Sequence, residues 1–454
     1  MAARRTPSGR TGSSRAGSLA APAWLPQPVL AAAVVLVGMA LLAMPHLHGQ
    51  VLDHVHKEDG TVFLTDFLRT GWSSVWQSYS GYLHVPARLI AGGCATWAPP
   101  ETFDVCVGAS SIGLRGVFAL IAMAALAPYA RGPHWAIAAG ALFVWVPVGQ
   151  QEALGNVTNL RWFIDAFLVV VLLGCFRGFA AVVVAALVLV VTPSDPLVVL
   201  LVPLALWRLR TLSGSGRLVP GAFVAGVAAL AVFLRPGDRG ADPALFVRRP
   251  LEMAEQVLVR GPLVAQFGQN GTEMGLLTVG LPVLLVALLL PLAVLGWGAH
   301  SADRDLRLLA AGLVGGGVLL VAGTLVFADL DAIGLANWWA VGQASRYSVA
   351  PALLIGMALI LLAGEALTGS VLARGLAVAS LALLATAYAS DWPGDPANTK
   401  GPLWADTVAE ARTSCETRPA DPDRPRRGPT VTVPVTPQGV SIPWTATLPC
   451  SWLE

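Results

Sequence analysis

Residues 276–298 have the sequence LLTVGLPVLLVALLLPLAVLGWG, which contains no charged side chain. About 20 such residues form a helix that crosses the roughly 30 Å hydrocarbon core of a bilayer. Similar apolar segments recur along the chain, and we count about eleven of them. They lie at 28–45, 112–128, 133–149, 162–176, 178–191, 196–207, 219–234, 276–298, 308–328, 347–364 and 372–390. The sequence therefore predicts an all-α polytopic membrane protein with about 11 transmembrane helices.

The composition supports a membrane protein and excludes several other classes. Of the 454 residues, 55% are hydrophobic and 12% are charged, whereas a soluble domain carries about 25% charged residues. A soluble multi-domain enzyme, a nucleic-acid-binding protein and a disordered scaffold are incompatible with these values. We divide the chain into a cytoplasmic basic tail (residues 1–27), a transmembrane domain (28–390) and a C-terminal extracytoplasmic α/β cap (391–454).

The distribution of arginine predicts the orientation, because short cytoplasmic loops are enriched in positive charge. Four arginines and no acidic residue precede the first span. The others that decide the topology fall in alternate loops: Arg131, Arg177, Arg208, Arg210, Arg217, Arg304, Arg307 and Arg374. We expect a cytoplasmic N-terminus, and an odd number of spans then places the C-terminus outside. A cleaved signal peptide is the alternative for the first segment, but its length and the lack of a small-residue cleavage site favour a retained anchor.

The cysteines fit this topology. Cys94 and Cys106 lie in the first outer loop (46–111), and Cys415 and Cys450 lie in the cap. Four cysteines allow three pairings; local pairing, Cys94 with Cys106 and Cys415 with Cys450, requires no contact between loop and cap and is our prediction. Four free thiols are the alternative, which an oxidising compartment disfavours.

The outer segments have their own helical and strand patterns. Between Phe63 and Ile90 the first outer loop has apolar residues at helical spacing, which predicts two amphipathic helices in the membrane interface. A second long outer loop covers 235–275. In the cap, residues 404–412 have a helical pattern, and TVTVPVT (430–436), VSIPW (440–444) and ATLPC (446–450) predict short strands. A segment of this size builds little core alone, so we expect it to pack on the outer face of the membrane domain.

The first candidate functional stretch is HLHGQVLDHVHKEDG, residues 46–60. Glu58 and Asp59 are adjacent acids close to the membrane surface, suited to act as a general base or to bind a divalent ion. His54 and His56 add nitrogen ligands within a few residues. The alternative interpretation is a solvated, histidine-rich polar loop.

The second stretch is QQEALGNVTNLRWFID, residues 150–165. Arg161 at the outer end of a span presents a planar group suited to phosphate. Asp165, inside the apolar run, is unfavourable there unless it is paired or functional. Mutual neutralisation of Arg161 and Asp165 at i, i+4 is the alternative.

The third stretch is NWWAVGQASRYSVAP, residues 337–351. Arg346 is a second candidate for binding phosphate, and Tyr347 can donate a hydrogen bond beside it. The tryptophans are ordinary interfacial anchors on the alternative interpretation. Arg248, Arg249 and Arg260 in the second outer loop give a weaker form of the same signal.

Taken together, these pieces resemble a known superfamily. They are the acidic pair Glu58-Asp59, GYLHVPARL (81–89), GNVTNLRWF (155–163), Arg346-Tyr347 and the cysteine-containing tail. The set resembles bacterial multi-spanning glycosyltransferases of the GT-C type. The resemblance implies a polyprenyl-phosphate sugar donor, an active site on the outer face of the bacterial plasma membrane, and an acidic base in the first outer loop.

Residue roles follow from the resemblance. Asp59 or Glu58 would take the proton of the acceptor hydroxyl, and Arg161 and Arg346, with Tyr347, would hold the donor phosphate. The substrate-binding candidates are His84, Tyr82, Asn156, Asn159 and Glu152. No cofactor is specified; a divalent metal ion would be held by candidates among His54, His56, Glu58 and Asp59. The implied partners are the sugar donor, a cell-envelope glycan, lipid or protein acceptor, and membrane lipid, with no nucleic acid.

The chain departs from the superfamily pattern in two ways. Glu-Asp stands where Asp-Asp or Asp-x-Asp occurs in some members, and a large C-terminal soluble domain is lacking. The alternative function is a transporter or flippase of a lipid-linked or small polar substrate, which predicts midplane charges and repeated halves. A non-catalytic membrane scaffold is a third hypothesis, which predicts polar residues spread evenly over the outer surface.

Overall fold

The computed structural model describes residues 27–47, 52–234, 244–327, 341–342, 344–392, 401–417, 428–437 and 443–454, and all structural statements concern these residues. Helices dominate. In the N-terminal half they are α1 (Pro28–Leu47), α2 (Thr65–Thr70), α3 (Val85–Trp97), α4 (Phe103–Leu126), α5 (Pro133–Trp145), α6 (Gln150–Ala153), α7 (Leu160–Leu173), α8 (Gly178–Val191), α9 (Val202–Thr211) and α10 (Leu218–Phe233). In the C-terminal half they are α11 (Leu245–Arg248), α12 (Pro250–Leu258), α13 (Val264–Thr278), α14 (Gly280–Ser301), α15 (Arg304–Phe327), α16 (Val349–Ala366), α17 (Val371–Asp391), α18 (Trp404–Glu416) and α19 (Cys450–Leu453).

Short 3₁₀ and π segments join the helices. The π segments are Asp59–Leu64 and Val259–Leu263. The 3₁₀ segments are Gly71–Trp76, Pro100–Thr102, Thr192–Ser194, Pro196–Leu201, Gly214–Arg217 and Ser345–Ser348. Strands β1 (Thr430–Pro434) and β2 (Thr445–Pro449) form one antiparallel pair.

Within the described residues, six helical segments are long and apolar enough to cross a bilayer. They are Pro100–Leu126, Gly214–Phe233, Gly280–Ser301, Arg304–Val326, Ser345–Ala366 and Val371–Asp391. Two shorter apolar helical segments cover Pro28–Met44 and Gly178–Ser194. Each of the eleven predicted segments contains a helix, and six of these helices have the length and composition of a span. The chain is therefore a multi-pass, all-α membrane protein.

Helix α16 forms the centre of the bundle. Every residue of this helix except Glu365 is buried, and it packs against α5, α7, α14 and α15. Small residues permit close approach in such bundles. At Gly298 of α14, a β-carbon would lie only 2.3 Å from the Leu362 carbonyl oxygen of α16, so only glycine fits there.

Helix α4 begins earlier than the sequence pattern predicted. Its first residue is Phe103, whereas the predicted span begins at residue 112. Polar groups in the added turns are satisfied by the protein: Asp104 accepts a hydrogen bond from the Val105 N–H, and the Ser111 hydroxyl donates to the Asn156 carbonyl. Because hydropathy counts these side chains as polar, it placed the helix start too late.

The described part of the second outer loop, residues 244–275, is helical and packs into the bundle. Helix α13 contacts α16 and α17 and is kinked at Gly268, whose φ is +70°. Beyond the kink, the N–H groups of Gln269 and Asn270 donate to the two carboxyl oxygens of Asp391, at 2.6 and 2.9 Å. Asp391 thus caps the second half of α13 from another helix.

The C-terminal cap combines α18, α19 and the two-stranded sheet. Both predicted disulfides, Cys94–Cys106 and Cys415–Cys450, are confirmed. The strands predicted at TVTVPVT and ATLPC are confirmed over Thr430–Pro434 and Thr445–Pro449. Most of the third predicted strand, VSIPW, lies outside the described residues.

The cap is attached to the first outer loop through backbone hydrogen bonds. The Lys57 N–H donates to the Thr436 carbonyl at 2.8 Å, and the Thr436 N–H donates to the Val55 carbonyl at 2.9 Å. Two tryptophan indoles extend the attachment: Trp404 donates to the Pro100 carbonyl at 2.7 Å and Trp452 to the Ala95 carbonyl at 3.0 Å. The acceptors are all backbone carbonyls, and the donors are backbone N–H groups and the two indoles, so the contact fixes the local chain geometry.

Candidate functional site

A cavity of about 290 Å³ opens at the end of the bundle where the first outer loop, the α5–α7 connection, the start of α16 and the cap meet. The first outer loop contributes His56, Lys57, Glu58, Tyr79, Ser80, Tyr82 and His84. The α5–α7 segment contributes Glu152, Thr158, Asn159 and Arg161, and the remaining two are Arg346 and Trp444. Four segments that are distant in sequence therefore form one polar site.

Arg161 lies in the first turn of α7 and is held from several sides. Its guanidinium donates to the Tyr82 hydroxyl and is 3.4 Å from a carboxyl oxygen of Asp195. The same group lies 4.2 Å from the centre of the Trp162 ring. These contacts orient the guanidinium at the cavity wall, with 14% of the side chain exposed.

Arg346 lies in the 3₁₀ turn that precedes α16. Its guanidinium forms an ion pair with Glu152, and its main-chain N–H donates to the other carboxyl oxygen of Glu152 at 3.2 Å. The second terminal nitrogen of the guanidinium, Nη2, donates to the Tyr347 hydroxyl at 3.3 Å. Glu152 thus fixes both the backbone and the side chain of Arg346, and 26% of that side chain remains exposed.

Glu58 is a carboxylate on the cavity wall. Its side chain is 17% exposed, and one oxygen lies 3.8 Å from Nδ1 of His56. Burial, together with the positive charges of Lys57 and Arg346, lowers the pKa of His56 from 6.5 to about 3. The imidazole beside Glu58 is therefore neutral at physiological pH.

Asp59, the neighbouring acid, does not line the cavity. It is 1% exposed, and it accepts hydrogen bonds from the N–H groups of Val157 at 3.0 Å and Thr158 at 3.1 Å and from the Thr158 hydroxyl. Burial raises its pKa from 3.8 to about 7, although the hydrogen bonds oppose that shift. The carboxyl group therefore ties the first outer loop to the segment that leads into α7, while Glu58 faces the cavity.

An aromatic cluster forms another wall. The rings of Tyr82 and His84 lie 4.4 Å apart, and Tyr79 lies 5.6 Å from His84. Across the cavity, the Lys57 ammonium group lies 6.0 Å from the centre of the Trp444 ring. Aromatic faces next to charged groups suit a ligand with both a ring and polar substituents.

The other predicted site residues divide into two groups. Asn159 lines the cavity, whereas Asn156 is fully buried and its amide oxygen accepts the Asn159 N–H at 3.0 Å. Tyr347 is also behind the wall, with its ring 5.0 Å from that of Trp162. Asn156 and Tyr347 therefore support the site from behind.

The four candidate metal ligands do not converge. His54 Nδ1 lies 2.8 Å from the Pro402 carbonyl, and Asp59 is directed at Val157 and Thr158. Across the described ranges, no group of three or more His, Cys, Asp or Glu side chains has the spacing of a metal site. Several residues of the candidate stretches lie outside the described side chains: His46, His48, Asn337, Trp338, Trp339 and Gln343.

The sequence patterns gave no role to several residues that form the site. Trp444, Tyr79, Ser80 and Thr158 line the cavity, and Asp195 holds Arg161. The aspartate inside the helix-breaking TPSDP turn was the signal for Asp195, since a buried turn at membrane depth is tolerated where it lines protein or a wet cavity.

Neither a family model, nor a curated protein, nor a solved structure matches this chain. What the site does is therefore inferred from its own residues and their geometry.

Proposed function

We propose that the protein is a membrane glycosyltransferase of the GT-C type. It transfers a sugar from a polyprenyl-phosphate donor to an acceptor hydroxyl on a cell-envelope glycan, lipid or protein. The cavity bounded by Glu58, Arg161 and Arg346 is the proposed active site. The observation that carries the proposal is that two arginines and one carboxylate from three distant segments line the same cavity.

The two arginines suit a lipid-linked phosphate. On the proposed topology each guanidinium lies at the outer end of a span, the level of lipid headgroups. Each is already oriented by a carboxylate: Asp195 for Arg161 and Glu152 for Arg346. Arginine presents several donors in a plane and binds phosphate oxygens in pairs. A donor phosphate bound between them would place its sugar toward the aromatic wall of Tyr82 and His84.

Glu58 is the proposed base. As the acceptor oxygen attacks the anomeric carbon, the bond between that carbon and the phosphate oxygen breaks, and the acceptor proton passes to Glu58. The lipid phosphate leaves with the bonding electron pair, its charge balanced by Arg161 and Arg346. His56, neutral at physiological pH, lies beside Glu58 without competing for the proton. Asp59 fixes the backbone that carries Glu58.

The proposed topology has eleven spans in a bacterial plasma membrane, a cytoplasmic N-terminus and an extracytoplasmic C-terminus. The grouping of charges supports it. The cavity draws its residues from predicted outer segments, whereas the 3.2 Å ion pair between Arg131 and Glu365 joins two segments predicted to be cytoplasmic. On this topology the cavity faces outward.

The test uses a matched pair of substitutions. In membranes supplied with a panel of polyprenyl-phosphate hexoses, Glu58→Gln should reduce release of polyprenyl phosphate at least ~100-fold, the scale of a lost general base. Glu365→Gln, at the opposite end of the bundle, should keep the wild-type rate. Equal rates in the two variants would refute the role of Glu58.

A transporter remains the second candidate because Asp165 is fully buried in a membrane helix without a hydrogen-bond partner in the described structure. The same protein in sealed vesicles separates the two functions. Lipid-linked sugar that changes leaflet with its sugar–phosphate bond intact indicates transport; release of the lipid phosphate indicates transfer.

A further inference from the structure

Asp165 is the most unusual charged residue behind the cavity. It lies one turn after Arg161 on α7, its side chain is 0% exposed, and within the described structure neither carboxyl oxygen has a hydrogen-bond partner. A buried, ionised carboxylate without donors is strongly unfavourable in a low-dielectric interior. The residue therefore requires a compensating charge or a proton.

A second buried aspartate is close enough to act on the first. Asp195 lies in the break between α8 and α9 and is 1% exposed. One of its carboxyl oxygens accepts the Leu197 N–H at 2.8 Å, and the other faces Arg161 at 3.4 Å. Because Arg161 and Asp165 lie one turn apart on α7, the contact between Asp195 and Arg161 brings both aspartates to the same part of the helix.

Other charged groups near α7 are engaged elsewhere. On α4, the Arg115 guanidinium lies 4.1 Å from the Phe163 ring centre and donates to the Phe143 carbonyl at 2.9 Å. Arg346, before α16, is paired with Glu152, and Arg208 of α9 donates to the Gly174 carbonyl at the opposite end of α7. Asp195 thus contacts the Arg161 guanidinium, and Asp165 is buried one helical turn from Arg161 on α7.

We propose that Asp165 and Asp195 form a proton-binding pair that shares one proton and carries one negative charge, which balances Arg161. Two carboxyl groups that cannot both ionise beside one cation share a proton in this way. The geometry assigns the charge chiefly to Asp195, which accepts an N–H and faces Arg161, and the proton to Asp165, which has no donors.

The pair also sets the charge at the proposed phosphate site; this consequence rests on the proposed function. With the proton bound, Arg161 has one counter-charge, and its outward-facing donors can bind phosphate. Loss of the proton adds a second negative charge behind the guanidinium, which repels a phosphate anion. We expect affinity for lipid phosphate to fall as the pair deprotonates.

Infrared spectroscopy of the purified protein tests the pair without any assay of sugar transfer. At mildly alkaline pH, where exposed carboxyl groups are ionised, the wild type should show a protonated carboxylic-acid band. Asp165→Asn and Asp195→Asn should each lose that band, because the remaining aspartate then ionises beside Arg161. Asp104→Asn, a control at another buried aspartate of the outer end, should retain the band of the pair. A band absent from the wild type, or present in both single variants, would overturn the proposal.

Stability gives a second readout. Each single variant keeps one negative charge beside Arg161 and should unfold cooperatively near the wild-type temperature. The double variant, Asp165→Asn with Asp195→Asn, removes both acidic groups near the largely buried Arg161 and should unfold at a clearly lower temperature. Sodium-dependent stabilisation of the wild type that disappears in Asp165→Asn would instead identify a cation site and refute the shared proton.

The functional consequence is measured with a short-chain polyprenyl phosphate in detergent micelles. Above about pH 6 the phosphate carries its second charge. At higher pH, wild-type affinity should fall over the range in which the infrared band disappears, and Asp165→Asn should bind with little change. Identical pH profiles in the two proteins would refute the coupling. Failure of both proteins to bind the probe would count against the proposed function. The infrared result would still show whether Asp165 and Asp195 hold a proton between them.

Discussion

Asp59 and Glu58 show how two adjacent acids can differ in role. The sequence predicted that one of them acts as base, but hydropathy and spacing carry no information on which side chain faces a cavity. The distinction depends on Val157 and Thr158, about a hundred residues away, whose N–H groups fix Asp59. Such long-range donors decide burial, and a single sequence does not reveal them.

His56 and Asp59 predict an opposed dependence of stability on pH. The native pKa of His56 is lowered from 6.5 to about 3, so the unfolded chain binds more protons between these values, and the free energy of unfolding rises with pH. The native pKa of Asp59 is raised from 3.8 to about 7, so its contribution to the free energy of unfolding falls as pH rises between these two values. Integrated over its pH interval, each contribution to the free energy of unfolding is on the order of 4–5 kcal/mol.

Thermal unfolding of two variants in detergent separates these effects. Relative to the wild type, the stability of Asp59→Asn should rise more steeply as pH increases from about 4 to 6.5, because of the two opposed contributions only that of His56 remains. His56→Gln should instead lose stability from about pH 4 to 7. If both variants follow the wild-type profile, neither group has the environment described.

At the scale of the element, hydropathy located all six helical segments that are long and apolar enough to cross a bilayer. It did not place correctly the helix ends that carry polar residues or the short helices. The start of α4 was placed nine residues late because Asp104 and Ser111 are satisfied internally. The described part of the second outer loop is helical and packed because Asp391 supplies the cap that the Gly268 kink requires. Both features depend on partners from other segments, which periodicity does not detect.

The cap on α13 gives a prediction for Asp391. Both of its oxygens accept N–H groups, so Asp391→Asn leaves one N–H facing an amide NH₂ and should destabilise the protein by about 1–2 kcal/mol. Asp303→Asn is the control: only one of its oxygens accepts a helix N–H, that of Leu306, and asparagine caps equally well. A lower unfolding temperature in both variants, or in neither, would contradict the specific role of Asp391.

For the whole molecule, composition and the recurring apolar segments were sufficient to predict a multi-pass, all-α protein, and local pairing of the cysteines predicted the disulfides. The cavity was predicted only in part. Glu58, Arg161 and Arg346 were selected because charged residues at helix ends are conspicuous in an apolar chain. Trp444 and Asp195 were not, since their contribution depends on how the cap and the broken α8–α9 connection fold back onto the site.

The cap should influence the cavity from a distance. Replacing both Cys415 and Cys450 by serine removes a link that closes a loop of 35 residues and should cost the cap about 3–4 kcal/mol. Hydrogen exchange of the backbone around Lys57 should then become faster, because its N–H donates to Thr436. Exchange within α16 should not change, and Cys175→Ser should leave both regions as in the wild type. Unchanged exchange at Lys57 in the double variant would mean that the disulfide does not stabilise this contact.

The pairing of Thr436 with Val55 and Lys57 also has a consequence for biosynthesis. A ribosome makes the segment bearing Glu58 hundreds of residues before the strand that fixes it, so the nascent chain inserts nearly all its membrane helices with the cavity unfinished. On the proposed topology, the site is completed only after the last segment has crossed the membrane. A prematurely terminated chain would be inserted without its finished cavity.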